Sequence, residues 1–378
     1  MNNILDYIAW RGDVSFELSP FNEVDSLILS QLSYLDFAGL VGESFSDQTA
    51  LSKIAHSFSN TSDLDQRTED LALVNKSTVQ LLIAAGNSRR FGDIKMCAYI
   101  KSTDRAKEEQ FAAVAFVLDK KLNYLAFRGT DGSLVGWKED CNMAFMSPVP
   151  AQQSSVEYMN SACAGLKGEI ILGGHSKGGN LAVYASAFCL PKNQKRIKSI
   201  YNYDGPGFER TIVEKEEFQA ILPLICTYMP QSSVVGILFE HYETCVVVES
   251  SKNVGVFQHD PFTWFVYGTA FVTVGGLTTD SIFIDITVKH WLEQLDKDKR
   301  EQFIDTLFEV LNATHAETLT DLSDSWVKNA RLIIKALAHI EPETREAVLQ
   351  TFHLLFKTAQ TTVPTIVELS PHFKNLLS

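Results

Sequence analysis

One run in the 378-residue chain has residue types and spacing suited to covalent chemistry: Ile170-Ile171-Leu172-Gly173-Gly174-His175-Ser176-Lys177-Gly178-Gly179-Asn180. It sets Gly-x-Ser-x-Gly between an apolar run that reads as a buried strand and an alanine-rich stretch that reads as a helix. A serine on so sharp a strand-to-helix turn sits in strained backbone, and needs small neighbours so that helix and strand can approach. Gly174, Gly178 and Gly179 supply them. The turn lifts the Ser176 hydroxyl above the carboxyl edge of a sheet and aims a helix N-terminus at it. That is the posture of a nucleophile in acyl transfer. The competing reading, a chance match in a loop, is disfavoured by the strand-turn-helix frame.

Acyl transfer also needs backbone N–H donors facing the developing oxyanion. One should come from the residue after the nucleophile, Lys177. Tyr124-Leu125-Ala126-Phe127-Arg128-Gly129-Thr130-Asp131 reads as an earlier strand running into a loop, and the Thr130 N–H is placed to be the second. The Thr130 hydroxyl offers a third donor. An ordinary strand-ending turn is the alternative for this segment.

A base must follow the serine in chain order in this kind of site. Of nine histidines, His56 precedes it and His175 lies within the turn. His290, His315, His339, His353 and His372 fall in a late helical region. His241 lies near Glu240 and Glu243 and reads as a helix-end side chain. His259, in Val254-Gly-Val-Phe-Gln-His-Asp-Pro-Phe-Thr-Trp264, sits in a loop past the last expected strand, with Pro261 stiffening its anchor. It is the expected base, against the reading of a plain surface histidine. For the orienting acid, Asp204 in Ile200-Tyr-Asn-Tyr-Asp204-Gly-Pro-Gly-Phe208 stands at a strand's carboxyl end beside the turn, where it would fix the imidazole tautomer. An Asx-turn with Gly205-Pro206 is its bland alternative. Glu240 is the second choice and Asp260 the third.

Other chemistries find less support. Lys177 is needed only for its backbone N–H; its side chain is expected to meet an acidic neighbour or the substrate. Trp137 and Asp140 read as support for the oxyanion loop. No His-x-x-x-His or Cys/His group shows ligand spacing, so neither metal nor cofactor is expected. Gly-His-Ser-Lys-Gly-Gly lacks the spacing of a phosphate loop.

The elements that must position these residues follow from periodicity. Asn22 caps a helix beginning at Glu23, with Val24, Leu27, Ile28, Leu32 and Leu35 at helical spacing. Residues 42–66 read as polar loop with at most a short helix, and a helix is expected over 77–85. Short β-rich runs at 94–100, 111–118 and 122–127, and later near 169–173, 197–203, 226–229 and 245–249, alternate with helices near 151–166, 180–189 and 211–221. Such alternation argues for a mostly parallel sheet covered on both faces. After about 283 the pattern turns helical, with stripes at Phe303–Leu311, Trp326–Leu337 and Val348–Phe356. Three regions result: 1–92, an N-terminal helical segment packed on the core; 93–282, the core; and 283–378, a C-terminal helical region. Arg-Gly-Asp at 11–13 reads as a chance match.

Composition narrows the class. Hydrophobic residues make up 45% and charged residues 21%, with a net charge of −13. A chain this acidic is poorly suited to nucleic acid or anionic headgroups. No signal-like opening is visible, and the most apolar stretch, 265–277, falls short of the ~20 residues a membrane helix needs. Six cysteines without a Cys-x-x-Cys pair read as reduced thiols. A cytoplasmic location is expected.

Phe127-Arg-Gly-Thr130, then Trp137-Lys-Glu-Asp140, then Gly-His-Ser-x-Gly-Gly resembles class 3 lipases over about 93–265. With Gly-His-Ser-Lys-Gly-Gly-Asn, Phe-Arg-Gly-Thr-Asp and Gln-His-Asp-Pro together, and a Trp10-Arg-Gly-Asp-x-Ser-Phe opening, the chain resembles a bacterial α/β-hydrolase-like family of unknown function. The resemblance implies an α/β-hydrolase fold, to which the helical pattern after about 283 adds a C-terminal appendage. Class 3 lipases carry the acid after the next-to-last strand, where Met229-Pro-Gln-Ser-Ser-Val-Val-Gly236 has no carboxylate. The arrangement at Asp204 resembles the pancreatic type of lipase instead. The expected function is a serine hydrolase that cleaves a small-molecule or lipid carboxylic ester, or a thioester, through an acyl-enzyme on Ser176. A catalytically degenerate scaffold acting as a binding or regulatory module is the rival, and peptidase or acyltransferase chemistry is a weaker third.

Overall fold

The computed structural model describes residues 2–69, 77–253, 255–312 and 342–369. Two capping boxes open the chain. Asn3 and Asn22 each accept backbone N–H groups through the side chain, while Asp6 and Asp25 return the bond to the cap. They start α1 (Ile4–Arg11) and α2 (Glu23–Leu32). The Asn22 cap was legible in the sequence; α1 was not. Further helices are α3 (Leu51–Ser59), α4 (Leu64–Glu69), α5 (Ser77–Asn87), α6 (Leu134–Asn142), α7 (Pro150–Gly165) and α8 (Lys177–Phe188).

Eight strands form one sheet in chain order: β1 (Thr49–Ala50), β2 (Lys95–Asp104), β3 (Glu109–Val117), β4 (Leu122–Phe127), β5 (Glu169–His175), β6 (Ile197–Tyr203), β7 (Ile225–Pro230) and β8 (Cys245–Val248). Neighbours from β1 to β4 pair antiparallel, and β4 to β8 run parallel. With helices on both faces, this is an α/β-hydrolase fold. Alternation along a strand divides the core in two. In β4, Tyr124 and Ala126 join α1, α2 and α5 on one face, through Tyr7, Leu27, Ile28 and Leu81. Leu125 and Phe127 join α7 and α8 on the other, through Met159, Leu181 and Ala185. The N-terminal helices are pinned by the fully buried pair Arg90–Asp25 at 2.5 Å, whose guanidinium also donates to the carbonyls of Val14 and Ser19.

This layout brings the carboxyl ends of β4, β5 and β6 to one edge. The loops after Phe127, His175 and Tyr203 therefore gather there, the usual place for a site on an open α/β sheet.

Several expectations need correction. The polar stretch 42–66 holds the nine-residue α3, because Leu51, Ile54, Ala55 and Phe58 keep helical spacing and are buried. The helix expected over 211–221 is two single turns, Arg210–Val213 and Glu216–Gln219, broken where Lys215 is extended at ψ 142°. His241 ends no helix; it lies in the irregular stretch leading to β8. The boundary at 282/283 falls inside the helix Thr279–Glu293. The later helices Lys297–Asn312 and Pro342–Leu369 carry two of the three late stripes, and Phe303, Ile304, Phe308 and Val348 pack with Phe145 in a separate cluster. The stripe at 326–337 lies outside the described residues. No helix among the described residues is long and apolar enough to cross a membrane.

Candidate active site

Ser176 occupies a one-residue elbow between β5 and α8, with φ 57° and ψ −135°. A positive φ at a residue with a side chain is strained and persists only where the surroundings dictate it. They do so here by close packing. A Cβ on Gly174 would stand 2.2 Å from the Gly178 carbonyl carbon, and one on Gly178 would stand 2.1 Å from the Phe127 carbonyl oxygen. Ser176 N–H donates to the Tyr203 carbonyl at 2.8 Å, which ties the elbow to β6. The serine is half-buried, neither sealed under the sheet nor fully in solvent.

Asp204 stands at the end of β6 with φ 51° and is fully buried. Its Oδ1 accepts the Ser233 hydroxyl at 2.5 Å and the Gly236 N–H at 3.1 Å. Its Oδ2 meets His259 Nδ1 at 2.6 Å. A carboxylate can only accept there, so the proton sits on Nδ1 and the lone pair on Nε2. Nε2 is the nitrogen a general base needs. Among the described residues, no hydrogen bond joins Ser176 Oγ to His259 Nε2. Glu240, the second choice for the acid, instead pairs its backbone with Phe208. Asp260, the third, uses Oδ1 to accept the Phe262 N–H.

Two features hold His259 in place. Gln258 accepts the Ser232 N–H, donates to the Lys252 carbonyl, and its own carbonyl takes the Trp264 indole N–H. The second is His175, a residue the sequence reading set aside. Its buried ring packs against that of His259 at 4.4 Å between centroids, the planes tilted by 37°. His175 Nε2–H donates to the His259 carbonyl at 2.8 Å, which leaves Nδ1 to accept the Tyr34 hydroxyl at 2.9 Å. Burial, and then the neighbouring His259, push the His175 pKa well below its usual value, so the ring is neutral.

The loop after β4 abuts the elbow. A Cβ on Gly129 would stand 2.6 Å from the His175 carbonyl oxygen and 3.1 Å from Ser176 Cβ. Arg128 and Asp131 bracket Gly129-Thr130 with an ion pair at 3.1 Å. Among the described residues, neither the Lys177 nor the Thr130 backbone N–H has a protein acceptor. The Thr130 hydroxyl is not the third donor expected of it, because it gives its proton to Asp140 Oδ2 at 2.5 Å. The Lys177 side chain turns inward to Glu139 Oε2 at 2.9 Å, with Gln110 O and Oε1 each at 3.0 Å. Burial lowers the Lys177 pKa, but the Glu139 and Asp140 charges outweigh it and the net shift is upward. Burial raises Asp140 to about 6 despite Lys177 and Thr130. The consecutive acids Glu139 and Asp140 thus brace, through side chains, the two residues whose N–H groups have no protein acceptor among the described residues. The sequence offered Asp140 as support for this loop and an acidic partner for Lys177, but not Glu139 or Gln110, which lie far from Lys177 in sequence.

A cavity of about 410 Å³ lined by Phe208, Ile237, Phe239, Leu292 and Arg300 touches none of Ser176, His259 and Asp204. It is not where an acyl group would meet the serine.

A family model described as Mbeg1-like matches residues 85–309, more than half of the chain. A solved structure titled "Crystal structure of M37 lipase" is similar at 12% identity and a TM-score of 0.31, over 56% of this chain and 68% of that one. No curated protein matches.

Proposed function

The chain belongs to the Mbeg1-like family, a lipase-like family, and from that premise we propose that it is a serine hydrolase cleaving a carboxylic ester, with Ser176 as nucleophile, His259 as base and Asp204 as orienting acid. The observation that carries the reading is the 2.6 Å contact between His259 Nδ1 and Asp204 Oδ2 beside the strained elbow. In this mechanism Ser176 Oγ attacks the ester carbonyl carbon while His259 Nε2 takes the hydroxyl proton. Asp204 keeps the other ring nitrogen protonated and offsets the imidazolium charge. The carbonyl oxygen becomes an oxyanion held by the Lys177 and Thr130 N–H groups. His259 returns the proton to the departing alcohol, leaving an acyl-enzyme, and water attacks the acyl carbon by the reverse sequence.

One observation favours the rival. The missing Ser176–His259 hydrogen bond suits a scaffold that binds without turning over. Such contacts are often loose without substrate and tighten in the reactive complex, so the hydrolase reading stands first. A panel of p-nitrophenyl esters and acyl thioesters, run with wild type and Ser176→Ala, separates the two. The proposal expects turnover on part of the panel that Ser176→Ala abolishes. Binding of the panel without turnover by either protein supports the scaffold.

A further inference from the structure

Away from the elbow, the approach to β8 gathers three side chains that the proposed mechanism leaves unused. His241, Glu243 and Cys245 alternate along the chain, which bends at Glu243. One donor atom from each, a ring nitrogen, a carboxylate oxygen and a thiol sulfur, lies within 4.8 Å of the others. His241 and Glu243 keep only 11% and 6% of their side-chain surface, and Cys245 is a half-buried free thiol. His241 Nδ1 meets Glu243 Oε1 at 2.8 Å, and the Thr227 hydroxyl of β7 donates to the same oxygen at 2.7 Å. His241 Nε2 is buried and has no hydrogen-bond partner among the described residues. A histidine–glutamate ion pair explains the first contact but not that second nitrogen, and a buried polar atom left unpaired calls for an ion or water of its own.

We propose that His241, Glu243 and Cys245 form a binding site for a divalent transition metal of the zinc class. The donor set selects the metal. A thiolate with an imidazole suits zinc, while magnesium and calcium want oxygen ligands throughout. Three protein ligands leave a fourth tetrahedral position to water. Ligand atoms around zinc stand roughly 3.5 Å apart, given bonds of about 2.0–2.3 Å, a spacing within the 4.8 Å that bounds the three donors here. Thr227 supplies the outer hydrogen bond that orients the Glu243 carboxylate. Binding involves no redox change: the Cys245 thiol and the His241 imidazolium each release a proton to solvent, so the sulfur ligates as a thiolate and the ring as the neutral base.

The position gives the metal a structural task. The segment 231–244 joins β7 to β8, and its near end holds Asp204 through Ser233 and Gly236. A metal at its far end clamps the segment where Cys245 enters β8 beside Thr227. The sequence pointed to no metal because His-x-Glu-x-Cys matches no standard ligand spacing; the bend at Glu243 does the converging. This proposal does not depend on the hydrolase reading.

The test uses the full chain, reduced and stripped with a chelator, then titrated with Co²⁺. One equivalent should bind with a thiolate-to-cobalt charge-transfer band that Zn²⁺ bleaches. Cys245→Ser should lose the band and Glu243→Gln should weaken binding about 10-fold or more, while Cys163→Ser, outside the cluster, keeps both. Zn²⁺ should raise the Tm of wild type and not that of His241→Gln. No saturable Co²⁺ uptake by wild type overturns the proposal, as does a band that survives both Cys245→Ser and Glu243→Gln. Should Cys245→Ser not fold, the wild-type titration and the Tm comparison decide the matter.

Discussion

Asp204 and His259, 55 positions apart, meet at 2.6 Å between Oδ2 and Nδ1, while Asp204 Oδ1 is filled by Ser233 and Gly236. The carboxylate has no slack, so the imidazole it holds is fixed in one tautomer. Asp204→Asn keeps an oxygen for Ser233 but presents an amide where the acceptor was, favouring the wrong tautomer. The kcat should fall roughly 10³- to 10⁴-fold with KM little changed. Steady-state kinetics on the best ester of the panel checks this, and a loss below tenfold argues that another acid serves.

His175 should act by positioning. His175→Phe keeps an aromatic ring against His259 but removes the N–H that its carbonyl accepts. A kcat about tenfold lower with unchanged KM is the expected outcome, the size of one neutral hydrogen bond. A Tm drop without any change in kcat would make the residue purely structural.

The Lys177–Glu139 pair is buried at 1% and 0% side-chain exposure. Glu139→Gln removes the ammonium's nearest counter-charge, leaving Asp140 Oδ1 at 3.7 Å, and should cost about 3 kcal/mol. The double variant Lys177→Met with Glu139→Gln should recover most of that loss. Urea denaturation of the three proteins measures it; equal losses in single and double variants would contradict the pairing.

Asp140 has its folded pKa raised to about 6 from 3.8. Between these values the folded chain holds a proton that the unfolded chain releases. The group's contribution is therefore full below pH 3.8 and is lost as pH rises through 6. The stability of wild type minus that of Asp140→Asn should decline across this window in denaturant titrations. A difference that grows with pH would reverse the assigned shift.

How much of this was legible depended on how local the cause was. The Asn22 cap, the glycines around Ser176 and the alternation along β4 are short-range, and periodicity reveals them. Asp204 and His259 were chosen because strand ends and chain order confine the choice to a few residues, and the two side chains meet at 2.6 Å. An acidic neighbour for Lys177 and a supporting role for Asp140 were expected, but Glu139 as that neighbour and the Tyr34–His175–His259 chain were missed for the opposite reason. Each joins residues on separate elements, and only the finished packing decides which side chains face each other. The α3 stripe was present in the sequence and was outweighed by the polar residues around it.

Phosphonate labelling of the folded protein, followed by mass mapping, tests the central claim most directly. The account predicts a single adduct on Ser176, absent in Ser176→Ala and formed far more slowly in His259→Gln. A folded wild-type protein that takes no label at Ser176, or takes it equally fast without His259, would contradict it.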